Sequence, residues 1–171
     1  MSDIPETKRK FITSWGEMGT CWGINRTMAQ IHALMMVSNE PLSTDQIMGE
    51  LQISRGNANM NLRDLISWGL IRREVKIGDR KEYFVGEKDV WKMFCTIVRE
   101  RKKREIEPVI KALQDCIDDV KESETTGIDK KLLDEKLHEL LDFVQTADVL
   151  MEKISRQEKN KIFPQILKLL K

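Results

Sequence analysis

The alternation of apolar and polar positions divides this chain into helical and stranded stretches. "FITSWGEMGTCWGINRTMAQIHALMMVSNEPL" holds two helical segments, one ending near Thr20 and one running from about Arg26 to Ser38. Met28, Ile31, Leu34 and Met35 recur at helical spacing and give the second an inward face. Gly16, Gly19 and Gly23 offer a side that another helix can approach closely, and no strand precedes them as a phosphate loop would need. Pro41 ends the second segment by biasing Glu40 away from helix. "LSTDQIMGELQIS" is a short helix with a capping box, Ser43 and Gln46, and with Ile47 and Leu51 facing inward. Only Gln52 and Ile53 separate it from "SRGNANMNLRDLISWGL", residues 54–70. There Ser54 suits an N-cap, Ala58, Leu62, Leu65 and Ile66 fall at helical spacing, and Gly69 stands just past the end. Two helices joined by a tight turn form a helix-turn-helix.

Two alternating runs follow, "LIRREVKI" and "RKEYFV", on either side of Gly78-Asp79. They predict a β-hairpin with Arg80 and Lys81 at its tip, and a helix-turn-helix followed by such a hairpin is a winged helix. Residues 89–122 read as one long helix entered at Asp89, with Trp91, Phe94 and Val98 as its first apolar stripe. Pro108 is expected to kink it, and the stripe resumes at Ile106, Ile110, Leu113, Ile117 and Val120. After the loop "KESETTG", Asp129 is expected to cap a further helix, with Ile128 and Leu133 as a hydrophobic staple. Leu133, Leu137, Leu140, Val144, Ala147, Met151 and Ile154 then keep a four–three rhythm, the mark of a coiled-coil seam. The tail, "NKIFPQILKLLK", is an apolar segment that needs a surface. The expected fold is mainly α with a small β-hairpin wing: a winged helix-turn-helix domain over residues 1–88 and a coiled-coil-like, long-helix dimerisation region over 89–171.

Charge sharpens this division. The net charge is +1 over 171 residues. Residues 1–104, however, carry 18 Lys and Arg against 13 Asp and Glu, and residues 105–171 carry 11 against 15. A basic front points to an anionic partner. The basic run Arg99–Arg104 comes after the wing and reads as a solvated face paired with the acidic C-terminal helix, not as a DNA-binding helix. Cys21, Cys95 and Cys116 lack the spacing of a metal site or a disulfide framework, and read as reduced thiols of a cytoplasmic protein. No apolar run reaches the length of a membrane span, and "MSDIPETKRKF" has no secretory h-region, so no membrane association is expected. His32 and His138 stand on separate helices, and there is no nucleophile elbow, P-loop or H-E-x-x-H. Neither catalysis nor a cofactor or metal is expected.

At 100° per residue, with Ala58, Leu62 and Leu65 inward, the outer face of the second helix is Gly56, Met60, Arg63 and Ser67. Asn57 and Asn59 fall on its shoulders, and Asn61 lies nearer the core. Arg pairs bidentately with guanine and Asn with adenine, and Met60 suits a thymine methyl. Gly56 permits close backbone approach, and Ser54 and Arg55 at the helix start suit phosphates. Arg80 and Lys81 suit a neighbouring minor groove or phosphates. The candidate DNA-binding residues are therefore Ser54, Arg55, Gly56, Asn57, Asn59, Met60, Arg63, Arg80 and Lys81.

"SWGEMGTCWGINRTMAQIHALMM", "ISRGNANMNLRDLISWGLI" and "GDRKEYFVGEKDVWKMF" together resemble the GbsR/MarR family of bacterial transcriptional regulators, from about Phe11 to about Leu113. The acidic C-terminal part matches only in style, as a helical extension. The resemblance implies a cytoplasmic homodimer that binds double-stranded promoter DNA through two winged helices. Some members govern osmoprotectant uptake or synthesis and respond to choline or glycine betaine. It thereby suggests a choline-like cation as effector, for which Trp15, Trp22 and Trp91 are the candidate aromatic residues, since aromatic faces attract quaternary ammonium groups. The competing reading is a non-enzymatic coiled-coil scaffold that uses its winged helix to bind protein.

Overall fold

Small residues decide how the first two helices meet. In the computed structural model, which describes residues 6–124 and 126–159, α1 (Glu6–Cys21) lies against α2 (Arg26–Val37). A Cβ on Gly19 would stand 2.5 Å from the Cβ of Ala29, and one on Gly16 2.6 Å from Cγ of Gln30. Close approach therefore depends on these two glycines. Gly23, at φ +73, serves the turn between the helices instead. Asn25 then caps α2, its side-chain oxygen accepting from the amides of Thr27 at 2.9 Å and Met28 at 3.1 Å.

The chain divides between Met93 and Phe94 into two units. In the first, α2 is the central helix. Ile31, Ala33 and Leu34 are wholly buried, as are Ile47 of α3 (Thr44–Leu51) and Ala58 of α4 (Arg55–Ser67). The predicted capping box on α3 is present, Ser43 and Gln46 bonding reciprocally. Gln52, in the left-handed region at φ 54, turns the chain from α3 to α4. After α4, Gly69 at φ +72 releases the chain into β2 (Ile71–Val75), which pairs antiparallel with β3 (Glu82–Gly86). Ile71 opposes Gly86 and Arg73 opposes Phe84. A third, two-residue strand, β1 (Leu42–Ser43), adds to the other edge of β3, giving the order β1-β3-β2. Sequence alternation missed β1, because two residues are too few to show a period.

Two contacts fix this sheet to α2. Gly86 leaves the room that Met35 occupies: a Cβ there would meet Met35 Cβ at 2.9 Å and its carbonyl carbon at 3.2 Å. Lys88 Nζ donates to the carbonyl oxygens of Met35 at 2.7 Å, Met36 at 3.3 Å and Ser38, satisfying acceptors that the end of α2 leaves open. α5 (Val90–Arg101) starts at the predicted place, with the Asp89 carboxylate accepting from the amide of Lys92 at 3.0 Å.

In the second unit, α5 runs on through a π-helical stretch, Lys102–Ile106, into α6 (Glu107–Glu122), and α7 (Ile128–Ser155) returns along α6. Pro108 follows the π stretch, where the amide of Glu107 donates five residues back to Lys102. That wider turn accommodates the proline within a continuous helical path. The basic run is paired in part with the acidic end of the chain and in part within itself, where Arg101 meets Glu105 at 3.1 Å and Arg104 meets Glu100 at 3.3 Å. Arg99 meets Glu158 at 2.7 Å, and Lys102 lies 3.1 Å from both Glu107 and Asp148 and 3.5 Å from Glu152. Glu107 foremost, and then Asp148, push the Lys102 ammonium up to about 12. The expected Asp129 cap is not formed: α7 begins at Ile128 behind Gly127 with no side-chain cap, and Ile128 and Leu133 are exposed, so no staple closes. Along α7, Leu137, Leu141, Val144 and Met151 are half-buried. Leu132, Leu133, Leu140, Phe143 and Leu150 are exposed. The tail 160–171 lies outside the described residues.

Candidate nucleic-acid interface

The second helix of the helix-turn-helix presents its polar side through a well-fixed start. Ser54 caps α4, its hydroxyl accepting from the amide of Asn57 at 3.3 Å. Arg55 and Gly56 follow on the exposed surface, and a Cβ on Gly56 would meet nothing within 4 Å. The domain itself does not require glycine there, which leaves open approach from outside as its use. Ala58, Leu62 and Leu65 are buried, and so the outer face is Gly56, Met60 (52% exposed), Arg63 and Ser67, as the wheel predicts. Among the described residues, no carboxylate lies within ion-pair distance of Arg63. Glu74, a candidate for that role, pairs instead with Arg72 at 3.7 Å.

The three asparagines part company. Asn59 is half-buried on the shoulder. Asn57, expected on the other shoulder, is turned inward: its amide donates to Thr27 Oγ1 of α2 at 3.3 Å, and its side-chain oxygen accepts from Asn61 Nδ2 at 2.7 Å. Asn61 is wholly buried and also donates to the carbonyl of Asn57 at 2.8 Å. Asn57 and Asn61 thus tie α4 to α2, and a base-reading role for Asn57 would have to break that tie.

The hairpin tip is braced from within. Asp79 donates its amide to the carbonyl of Lys76 at 3.1 Å, closing the turn, and Gly78 takes φ +85. Its carboxylate accepts from the Tyr83 hydroxyl at 2.7 Å and from the amide of Lys81 at 3.0 Å. The tyrosine bond, with smaller help from the Lys81 amide, holds the Asp79 carboxyl below its usual range and the Tyr83 hydroxyl above its own. Lys76 Nζ lies 4.3 Å over the Tyr83 ring. Arg80 and Lys81 stand exposed on this brace.

Asp45, in the first turn of α3, joins the two halves of the interface. One carboxylate oxygen meets Arg55 Nη2 at 2.5 Å, and the other lies 3.9 Å from Lys81 Nζ. All three groups are about half exposed, so the pairs add little stability. Their value is positional: the first residue of α4 and the wing share one anion. Sequence reasoning missed Asp45, whose only local signal is that of an acid in a helix's first turn.

The tryptophans divide as well. Trp15 and Trp22 meet edge to face at 6.0 Å, and Trp15 also contacts Phe11 at 5.6 Å and His32 at 6.4 Å. Trp91 is half-buried at the start of α5. His32 is 4% exposed, and its Nε2 has no hydrogen-bond partner among the described residues. Burial lowers its pKa from 6.5 to about 4.

Comparison with known proteins bears on the fold that carries these residues. Residues 22–82 match the model of the MarR family, a span that includes α2 to β2 and most of the wing. The HTH-type transcriptional repressor GbsR of Bacillus subtilis (strain 168) is 25% identical over 113 residues, which cover 66% of this chain and 62% of that protein. The chain thus spans somewhat less than two thirds of this relative. A crystal structure of a transcriptional regulator superposes with a TM-score of 0.70 at 16% identity, covering 91% of this chain and 99% of the other, and so shares its fold.

Proposed function

We propose that this chain, a winged-helix protein of the MarR family, is a sequence-specific transcriptional regulator that binds promoter DNA as a homodimer. The observation that carries this reading is the pairing of Arg55 and Lys81 with the single carboxylate of Asp45, which aligns the start of α4 and the wing along one exposed, basic edge. In this reading Arg63 and Met60 address base edges in the major groove. Ser54, Arg55 and the α4 N-terminus take phosphates, and Arg80 and Lys81 reach the adjacent minor groove or its phosphates. Asn59 is a flanking contact, Gly56 admits the DNA backbone, and Asn57 serves α4 from within.

Two heads on one frame would read half-sites about one DNA turn apart and gain from effective concentration. The exposed leucines and Phe143 of α7 are the apolar surface available for that frame. We place the protein in the cytoplasm with its DNA; no described helix is long and apolar enough to cross a membrane. A choline-like effector at Trp15 and Trp22, with Trp91 as a third candidate wall, is the accompanying ligand hypothesis. The scaffold reading has no comparable support, since the matched span is that of a family of regulators.

The test is fluorescence-anisotropy binding to DNA from immediately upstream of the protein's own gene, beside scrambled DNA of equal length, over a salt series. Preference for the upstream DNA with steep loss of affinity in salt is expected. Equal binding to both at every salt concentration would defeat sequence-specific regulation at that site.

A further inference from the structure

Ile77 is 105% exposed and Val75 84% exposed. Val75 ends β2, and Ile77 follows two residues on, within the turn. Their surroundings are charged: Arg72, Arg73, Lys76, Arg80 and Lys81 stand against Glu74 and Asp79 between residues 72 and 81, a local net charge of +3. The turn explains neither side chain. It is closed by Asp79 N–H to Lys76 C=O, with Gly78 supplying the positive φ. That geometry leaves Ile77 at the projecting corner, where no β-branched apolar residue is required. Nor is the tip loose. Asp79 is bonded to Tyr83 and Lys81, and Lys76 lies on the Tyr83 ring.

A rigid, basic tip ending in an apolar corner fits a particular partner. Phosphates reward its charges but offer nothing to isoleucine. The apolar surfaces of duplex DNA are thymine methyls, which lie in the major groove where α4 would sit, and the faces of stacked bases, reached by wedging into the minor groove. On the reading above α4 occupies the major groove and the wing lies beside its start, so the tip is offered to the adjacent minor groove. We propose that Ile77 is a wedge that enters the minor groove beside each half-site, partly opens one base step and bends the DNA, with Val75 packing behind it against the sugar wall. Arg80 and Lys81 hold the phosphates on either side. The proposal rests on the DNA-binding reading above.

The experiment uses the full chain and the upstream duplex labelled at its ends with a donor and an acceptor, so that energy transfer reports bending while anisotropy reports affinity. The parent should bend the duplex within the ~20–90° that side-chain wedges produce. Ile77→Ser should lose most of the bend and bind about tenfold more weakly, with the slope of affinity against salt unchanged because no charge is removed. Ile77→Phe should restore the bend. Circular dichroism of Ile77→Ser should match the parent, since the side chain touches no core. Equal bending by parent and Ile77→Ser, weaker binding with the bend intact, or a parent that binds without bending would each overturn the wedge. A change of oligomeric state in Ile77→Ser would assign the tip to a second protein copy instead. A parent that binds no DNA would defeat the regulator reading, and the wedge with it.

Discussion

Lowering the pH should destabilise this protein through one buried side chain. His32 lies on α2 with its ring against Trp15, and its Nε2 has no hydrogen-bond partner among the described residues. Burial lowers its pKa from 6.5 to about 4, so the folded protein holds the ring neutral where the unfolded chain would protonate it. Between those two values the unfolded state binds more protons, and stability must therefore fall as pH falls. The contribution is fully present above the unfolded value and exhausted below the folded one. Relative to neutral pH, the deficit is about 2 kcal/mol near pH 5 and approaches about 3 kcal/mol below pH 4. Urea unfolding, followed by tryptophan fluorescence at about pH 7.5 and pH 5 at one fixed protein concentration, measures it. His32→Leu is the control: it is similar in volume and removes a buried nitrogen that has no partner. The parent should lose about 2 kcal/mol more than His32→Leu over that interval. Titrating carboxylates are common to both and cancel. Parallel losses in the two proteins would refute the reasoning, because acid sensitivity would then arise elsewhere.

The interface makes separable predictions. Arg63→Ala should cost about 1–3 kcal/mol on preferred DNA and much less on scrambled DNA, as competition anisotropy would show. Lys81→Ala should weaken binding to every sequence about equally and lower the salt slope by about one; if both variants bind like the parent, the assigned edge is wrong. Gly86→Ala should destabilise the first unit by about 1–3 kcal/mol, since its Cβ meets Met35 backbone that cannot swing aside; a melting temperature equal to the parent's would contradict this. Isothermal titration with choline and with glycine betaine should give saturable heat that is lost in Trp22→Ala; no heat with either up to millimolar concentration would remove the effector hypothesis.

Features set by local rules could be read from the chain before its structure. Ser43 and Gln46 formed their box and Ser54 its cap because each partner lies within one helical turn. The hairpin itself followed from alternation and the Gly78-Asp79 turn. The failures are also physical. Asp129 reads as a cap because Asp often is one, yet Gly127, at φ 135, takes the N-cap position of α7 two residues earlier. The four–three rhythm of α7 marked apolar positions but not their partners. Leu137, Val144 and Met151 are half-buried within this chain while Leu133 and Leu140 are exposed. A seam read at 3.5 residues drifts around a straight helix, and periodicity alone cannot apportion it between α6 and a second molecule.

The candidate interface shows the same limit more sharply. A helical wheel placed Gly56, Met60 and Arg63 outward because facing depends on period alone. It put Asn57 and Asn59 on equivalent shoulders, where only contacts across the fold distinguish them. Thr27, thirty residues earlier, draws Asn57 inward, and Asn61 completes the bond. Asp45 is ten residues from Arg55 and far from Lys81, so no spacing rule joins them. Yet that carboxylate gives the interface its geometry while adding little to stability. Any phosphate arriving at this edge must compete with Asp45 for Arg55 and Lys81, so the free protein's basic edge is partly neutralised. On the proposed DNA-binding reading that exchange is the same for every sequence, because the half-exposed pairs are weak and any phosphate can displace them. Asp45 would then lower charge-driven binding alike on matched and scrambled DNA, and sequence preference would be left to base contacts such as the one proposed for Arg63. Asp45→Asn should therefore tighten binding to both DNAs by a similar factor and leave their ratio unchanged.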